Sequence, residues 1–169
     1  MAMGNSRRLF HTGTLAAGVL LAAWGAWAAD APLAASAEQG DLTSVRALIA
    51  QGADPNARRV DGTTALHAAV QADRLDIVQT LLAAGASAGA ADRYGVTPLY
   101  LASLNGNATI VGRLLDAGVD PNAADPTGET ALMTAARTGI PDVLRVLLDR
   151  GARVDARDPE FQQTALMIA

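Results

Sequence analysis

The sequence predicts an all-α fold, a solenoid of helix-turn-helix units joined by β-hairpin loops. Three observations predict it. Residues of one type recur every 33 positions: Gly52, Gly85, Gly118 and Gly151; Leu66, Leu99 and Leu132; Gly62, Gly95 and Gly128. A fixed period of this length marks a chain built from stacked copies of one supersecondary unit. The composition is 50% hydrophobic but only 4% aromatic. A core made mainly of Ala, Leu, Val and Ile suits closely packed helices better than a sheet. Finally, the apolar pairs Leu48-Ile49, Leu81-Leu82, Leu114-Leu115 and Leu147-Leu148 keep the same step.

Each unit opens on Thr64, Thr97 or Thr130. A threonine there can N-cap a first helix, its hydroxyl accepting an orphan N–H. Pro98 follows at the first helical position, where its missing donor costs nothing. This helix is short, Thr97–Asn105 being the clearest copy, and it ends on a turn at Gly106, Gly139 or Gly40. The second helix runs through Asp76-Ile77-Val78-Gln79-Thr80-Leu81-Leu82 and its copies. Its apolar residues form one buried stripe. Gly85 and its equivalents stop it as residues able to take positive φ. Asp54-Pro55-Asn56 and Asp120-Pro121-Asn122 begin the polar connection to the next unit. That connection contains Asp61-Gly62 and Tyr94-Gly95, turn chemistry that fits a hairpin.

The repeated segments Asp92-Arg93-Tyr94-Gly95-Val96-Thr97-Pro98-Leu99-Tyr100-Leu101-Ala102 and Val111-Gly112-Arg113-Leu114-Leu115-Asp116-Ala117-Gly118-Val119-Asp120-Pro121-Asn122 resemble the opening and the close of the ankyrin repeat. The resemblance covers about residues 32–169, with units at 30–58, 59–91, 92–124, 125–157 and 158–169. The first unit lacks its hairpin side, as a capping unit would. Asp73 stands where the turn glycine is usual. Leu166 lies 34 residues after Leu132, so Pro159–Gln163 carries one extra residue. The last unit stops after one helical turn, which would leave Leu144, Val146, Leu147 and Leu148 partly uncovered. Each exposed large side chain forfeits up to about 1.5–3 kcal/mol. The sequence is therefore expected to be a fragment, with further repeats after Ala169.

Residues 1–28 read as a signal peptide of a bacterial export substrate. Arg7 and Arg8 supply the positive start, Leu15–Ala23 the apolar centre, and Ala26-Trp27-Ala28 the small residues of a cleavage site after Ala28. Ser6-Arg7-Arg8-Leu9-Phe10 resembles the twin-arginine signal; an ordinary Sec signal that carries two arginines fits equally. A third reading keeps residues 9–29 as an uncleaved anchor, although their Gly and Ala content makes a weak one.

Composition limits the partners. There is no lysine, and the 13 arginines are dispersed, which favours a compositional origin over a phosphate-reading patch. Without Arg7 and Arg8, eleven basic side chains face seventeen acidic ones, a net charge near −6. That balance argues against nucleic acid. The absence of cysteine excludes disulfides, thiolate metal sites, a cysteine nucleophile and a lipid-anchored cysteine.

No catalytic constellation stands out, and no cofactor or metal is expected. His67 is the only histidine after the signal segment; one histidine makes at most one metal ligand. The ankyrin resemblance gives His67 a structural role, bonding backbone between units. Ser36 and Ser44 have no histidine within sequence reach. Asp41, Asp76, Asp142 and Asp149 fall at helix starts or exposed helix positions, which suits capping. The turn Gly85–Gly89 lacks the Lys-Ser/Thr of a phosphate loop.

The resemblance implies that the hairpin tips and the exposed side of the first helices form one concave binding surface. The candidate residues on it are Arg59, Asp61, Arg93, Tyr94, Leu104, Asn105, Arg137 and Phe161, since aromatic and Arg side chains dominate interface energetics. The expected function is a non-catalytic protein-binding module, periplasmic or secreted. It would serve as helper of an exported enzyme or as an immunity-type protein. The alternatives are a membrane-tethered scaffold and the N-terminal part of a larger enzyme.

Overall fold

The computed structural model describes residues 32–169. The expected signal peptide, its twin-arginine motif and its cleavage site lie outside the described residues. Nine helices occur among these residues: α1 (Pro32–Gln39), α2 (Leu42–Ala50), α3 (Ala65–Gln71), α4 (Leu75–Ala83), α5 (Pro98–Asn105), α6 (Ala108–Asp116), α7 (Ala131–Thr138), α8 (Pro141–Asp149) and α9 (Ala165–Ile168). None is long and apolar enough to cross a membrane. The odd-numbered helices pack on one another in one layer. α2, α4, α6 and α8 form a second layer, and each pairs with the first helix of its own unit.

Local chemistry sets the ends of each helix. Thr97 Oγ1 accepts from Tyr100 N at 3.2 Å, and Thr130 Oγ1 from Met133 N at 3.4 Å. Gly106 closes α5 in the left-handed region at φ 77°. A Cβ there would run into Ile140 Cδ1 of the next unit, so glycine serves both the turn and the stacking. At the end of α4, Ala86 N donates to Leu81 O at 2.9 Å and Gly85 N to Leu82 O at 3.1 Å. These bonds satisfy carbonyls that the helix leaves open.

The core is one continuous row between the layers. Leu66, Leu99, Ile77, Ile110, Leu81 and Leu114 are all buried. Leu147 is also fully buried, which corrects the expectation that it is partly uncovered. It occupies the column of Leu81 and Leu114 and is shielded where α8 lies on α6 and α7. Leu144 and Val146 are half-buried, while Leu148 remains 43% exposed.

The connecting loops are hairpin turns rather than ribbons. Two main-chain bonds close each: Arg59 N donates to Thr63 O at 2.8 Å and Gly62 N to Arg59 O at 2.9 Å, with the same pair at Asp92 (Val96 O, 2.9 Å; Gly95 N, 3.2 Å) and at Asp125 (Glu129 O, 3.0 Å; Gly128 N, 2.9 Å). Ala124 and Thr130 form an isolated antiparallel bridge, and no strand occurs among the described residues. In the third and fourth units an aspartate braces the turn. Asp92 Oδ1 accepts from Tyr94 N (2.8 Å) and Val96 N (2.9 Å), and Asp125 Oδ1 from Thr127 N (2.8 Å) and Glu129 N (2.9 Å). The fifth hairpin absorbs its extra residue by placing Gln162 at φ 56°, the role Gly128 plays at φ 86° one unit earlier.

Candidate functional site

The hairpins and the first helices share one face. Its geometry follows from the column Glu38, Gln71, Leu104 and Arg137, which the 33-residue step places at the same point of successive first helices. Both ends of the column meet a hairpin. Glu38 Oε2 accepts from Arg59 Nη2 at 2.8 Å, and the Arg137 guanidinium pairs with Glu129. Between those ends Leu104 presents an apolar side chain that is 43% exposed.

At the first end, Arg59, Asp61 and Arg93 line an open depression of about 560 Å³ together with Ala35, Glu38 and Val60. Arg59 stands where the other units have the bracing aspartate, so Asp61 takes over that duty. Its Oδ1 accepts from Thr63 N at 2.9 Å and Thr63 Oγ1 at 2.6 Å. The Thr63 hydroxyl, followed by its amide, holds the Asp61 carboxyl below the ordinary range. Arg93 donates through its guanidinium to Val60 O and through its amide to Asp61 O at 3.0 Å, lacing two hairpins together.

At the other end, Arg137 and Phe161 line a cleft of about 250 Å³ between the fourth and fifth hairpins. Thr134 Oγ1 donates to Glu129 Oε1 at 2.9 Å, and the same oxygen takes the Arg137 guanidinium. Glu129 and then the Tyr100 hydroxyl hold Arg137 even more firmly charged than a free arginine. Phe161 is 67% exposed.

Tyr94 is 72% exposed and braced only through its backbone. Asn105 is exposed, but its Nδ2 donates to Val70 O at 2.9 Å and so ties α5 to the end of α3. The eight candidates thus fall into a group at each end, with Tyr94, Leu104 and Asn105 between them. Sequence reasoning missed Glu38 and Tyr100. Glu38 was findable, being one period before Gln71.

His67 is consumed by structure. Its Nδ1 accepts from Thr64 N at 3.2 Å, and its Nε2 donates to Val96 O at 3.1 Å, joining the second unit to the third. Among the described residues no three His, Cys, Asp or Glu side chains gather where a metal ion could sit.

A family model for ankyrin repeats in three copies matches residues 33–125 and 101–169. The chain belongs to the ankyrin-repeat family. No curated protein matches it. Ankyrin repeats are in general non-catalytic protein–protein interaction modules, and the hairpin and first-helix face of this ankyrin-repeat chain is the candidate surface for that role.

Proposed function

We propose that this protein is a non-catalytic binding module, exported to the periplasm or secreted, that holds a protein partner on its hairpin and first-helix face. The observation that carries the reading is Leu104. Its column otherwise holds polar residues, two of them paired with hairpin side chains, yet here a leucine is 43% exposed. Tyr94, on the hairpin of the same unit, is 72% exposed. Neither exposure serves the core, and a polar residue at either position would satisfy the fold. Apolar and aromatic side chains spent on such a face are what an interface needs for its anchors.

Export is supported by Ser6-Arg7-Arg8-Leu9-Phe10, the apolar run after it and Ala26-Trp27-Ala28. The partner would then itself be an exported protein, such as an enzyme needing a helper or a toxin needing neutralisation. Two measurements test the proposal. The intact mass of exported protein should correspond to a chain beginning at Ala29; a chain still starting near Met1 supports the anchored alternative instead. Affinity capture from the exported fraction, followed by titration of the captured protein with Leu104→Ala, should show weakened binding. Unchanged affinity would refute the assigned face.

A further inference from the structure

The two ends of the binding face differ in chemistry. The depression around Arg59 is balanced: Glu38 and Asp61 oppose Arg59 and Arg93. The cleft between the fourth and fifth hairpins is not. Its floor is apolar at Ile168, with Phe161 exposed beside it, while Met133, which also lines it, is itself buried. Around that floor lie three carboxylates, Glu129, Asp158 and Glu160, and one guanidinium, Arg137. Arg137 is already paired with Glu129. Asp158 is kept ionised by the amides of Phe161 (2.6 Å), Gln163 (2.7 Å) and Glu160 (3.1 Å). Glu160 pairs with no cation among the described residues.

We propose that this cleft is the subsite for one basic side chain, arginine or lysine, of the polypeptide bound on this face. The inference rests on the protein-binding reading given above and adds the chemistry of the partner. The cleft, about 250 Å³ and open to solvent, has room for one long side chain. Arginine and lysine match both parts of it. Their aliphatic stems cover apolar surface while the charged head stays polar, here against Ile168 and Phe161, with Glu160 as the lining carboxylate that neither a cation nor the turn amides engage. The ring of Phe161 adds a face for a cation. An acidic guest would meet an excess of carboxylates, and a purely apolar one would leave Glu160 without a counter-charge. The extra residue of the fifth hairpin puts Phe161 there, although the core gains nothing from it.

The test is a titration of the isotope-labelled full chain, followed by amide chemical shifts. The probes are the blocked tripeptide Gly-Arg-Gly and its neutral isostere Gly-citrulline-Gly. The arginine probe should shift Thr127, Glu160, Phe161 and Gln163 saturably, and the citrulline probe should not. Glu160→Gln and Phe161→Ala should each weaken the response about two- to five-fold, with thermal midpoints unchanged. If Phe161→Ala disturbs folding, Glu160→Gln alone decides. Equal response to both probes, shifts elsewhere, no shifts, or indifference to Glu160→Gln would each overturn the subsite. Should the captured partner still depend on Leu104 in that event, the binding face stands and only the basic guest is wrong.

Discussion

Asn122 clamps its loop to Gly151 in the next unit. Its Nδ2 donates to Gly151 O at 3.1 Å, while its Oδ1 accepts from Arg153 N at 2.8 Å. Asn56 makes the same pair of bonds one repeat pair earlier, to Gly85 O at 3.1 Å and from Ser87 N at 2.7 Å. The position between them in the 33-residue register is Gly89. It has no side chain, so the seam between the second and third loops lacks the clamp that the seams on either side possess.

Restoring the clamp should stabilise the protein. A Cβ on Gly89 meets nothing within 4 Å, and its φ is not in the left-handed region. Gly89→Asn should reach Gly118 O and Asp120 N, which stand where Gly85 O and Ser87 N stand for Asn56. Each net hydrogen bond is worth about 0.5–1.5 kcal/mol, and replacing glycine adds about 0.4–1 kcal/mol through the unfolded chain. Thermal melting should therefore show a rise larger than that of Gly89→Ala, which supplies only the second part. Equal midpoints for the two variants would mean that no clamp forms.

A second glycine offers a cleaner backbone measurement. Gly112 lies inside α6, and an added Cβ would touch only Val146 Cγ1, at an ordinary 3.9 Å. Its counterparts in the other outer helices are Arg46, Gln79 and Arg145. Gly112→Ala should raise stability by about 0.5–1 kcal/mol, read from urea midpoints at unchanged slope. A loss would show that the outer helices pack more tightly there than the spacing indicates.

The repeat columns were legible in sequence because stacking imposes one register on caps, turns and core alike. Thr97, Gly106 and Leu114 could be assigned roles before any contact was seen. The candidate face was legible only as a list of exposed positions. Spacing gives the positions of Arg59 and Arg137, but their pairing with Glu38 and Glu129 depends on which way long side chains turn, and spacing carries no such information. Asn105 reads as a surface residue in sequence, yet its amide binds α3. The extra residue in the fifth hairpin was visible, whereas its effect, Gln162 in the left-handed region and Phe161 beside a cleft, depends on backbone geometry. Leu147 is buried because α6 and α7 cover its side of α8, and which side of that helix they cover is a matter of packing that spacing does not carry.

Acid should weaken the stack in two separate windows. His67 is buried, and burial is the main reason its pKa is lowered, opposed by its bond to Val96 O and by Asp92. Asp61 also favours the proton and Arg58 disfavours it. Its Nδ1 faces the Thr64 amide and hydroxyl, so a proton there would oppose donor to donor. The unfolded chain takes up the proton first, near the ordinary value of about 6.5. The stability held by neutral His67 is therefore full above that pH and is lost as pH falls through the lower folded value. The carboxyls of Asp41, Asp61 and Asp158, also lowered, act only as pH falls below the ordinary 3.8. Urea midpoints at about pH 7.5 and about pH 5.5 should drop more in the native chain than in His67→Gln. Parallel drops would assign the acid response to other groups.

Stability and binding should separate between the core and the hairpin and first-helix face. Leu114 is fully buried, and Leu114→Ala should cost about 2–5 kcal/mol of stability through lost transfer energy and a residual cavity. Any effect of that variant on partner binding would follow from unfolding. Tyr94 is 72% exposed and Leu104 43% exposed, so alanine at either site should change stability by about 0.5 kcal/mol or less. If they anchor the partner, each should weaken binding by at least about 1–2 kcal/mol. Arg137→Ala is the informative intermediate. It breaks the pair with Glu129, a part-exposed bridge worth about 0–1 kcal/mol, and it also removes the one cation of the acidic cleft. Its effect on stability should be small, whereas its effect on affinity tests whether the partner reaches that end of the face. The experiment pairs thermal melting of the four variants with titration of the captured partner. Loss of stability at Tyr94 or Leu104 without loss of affinity would place those side chains in the packing and move the binding surface to the outer helices.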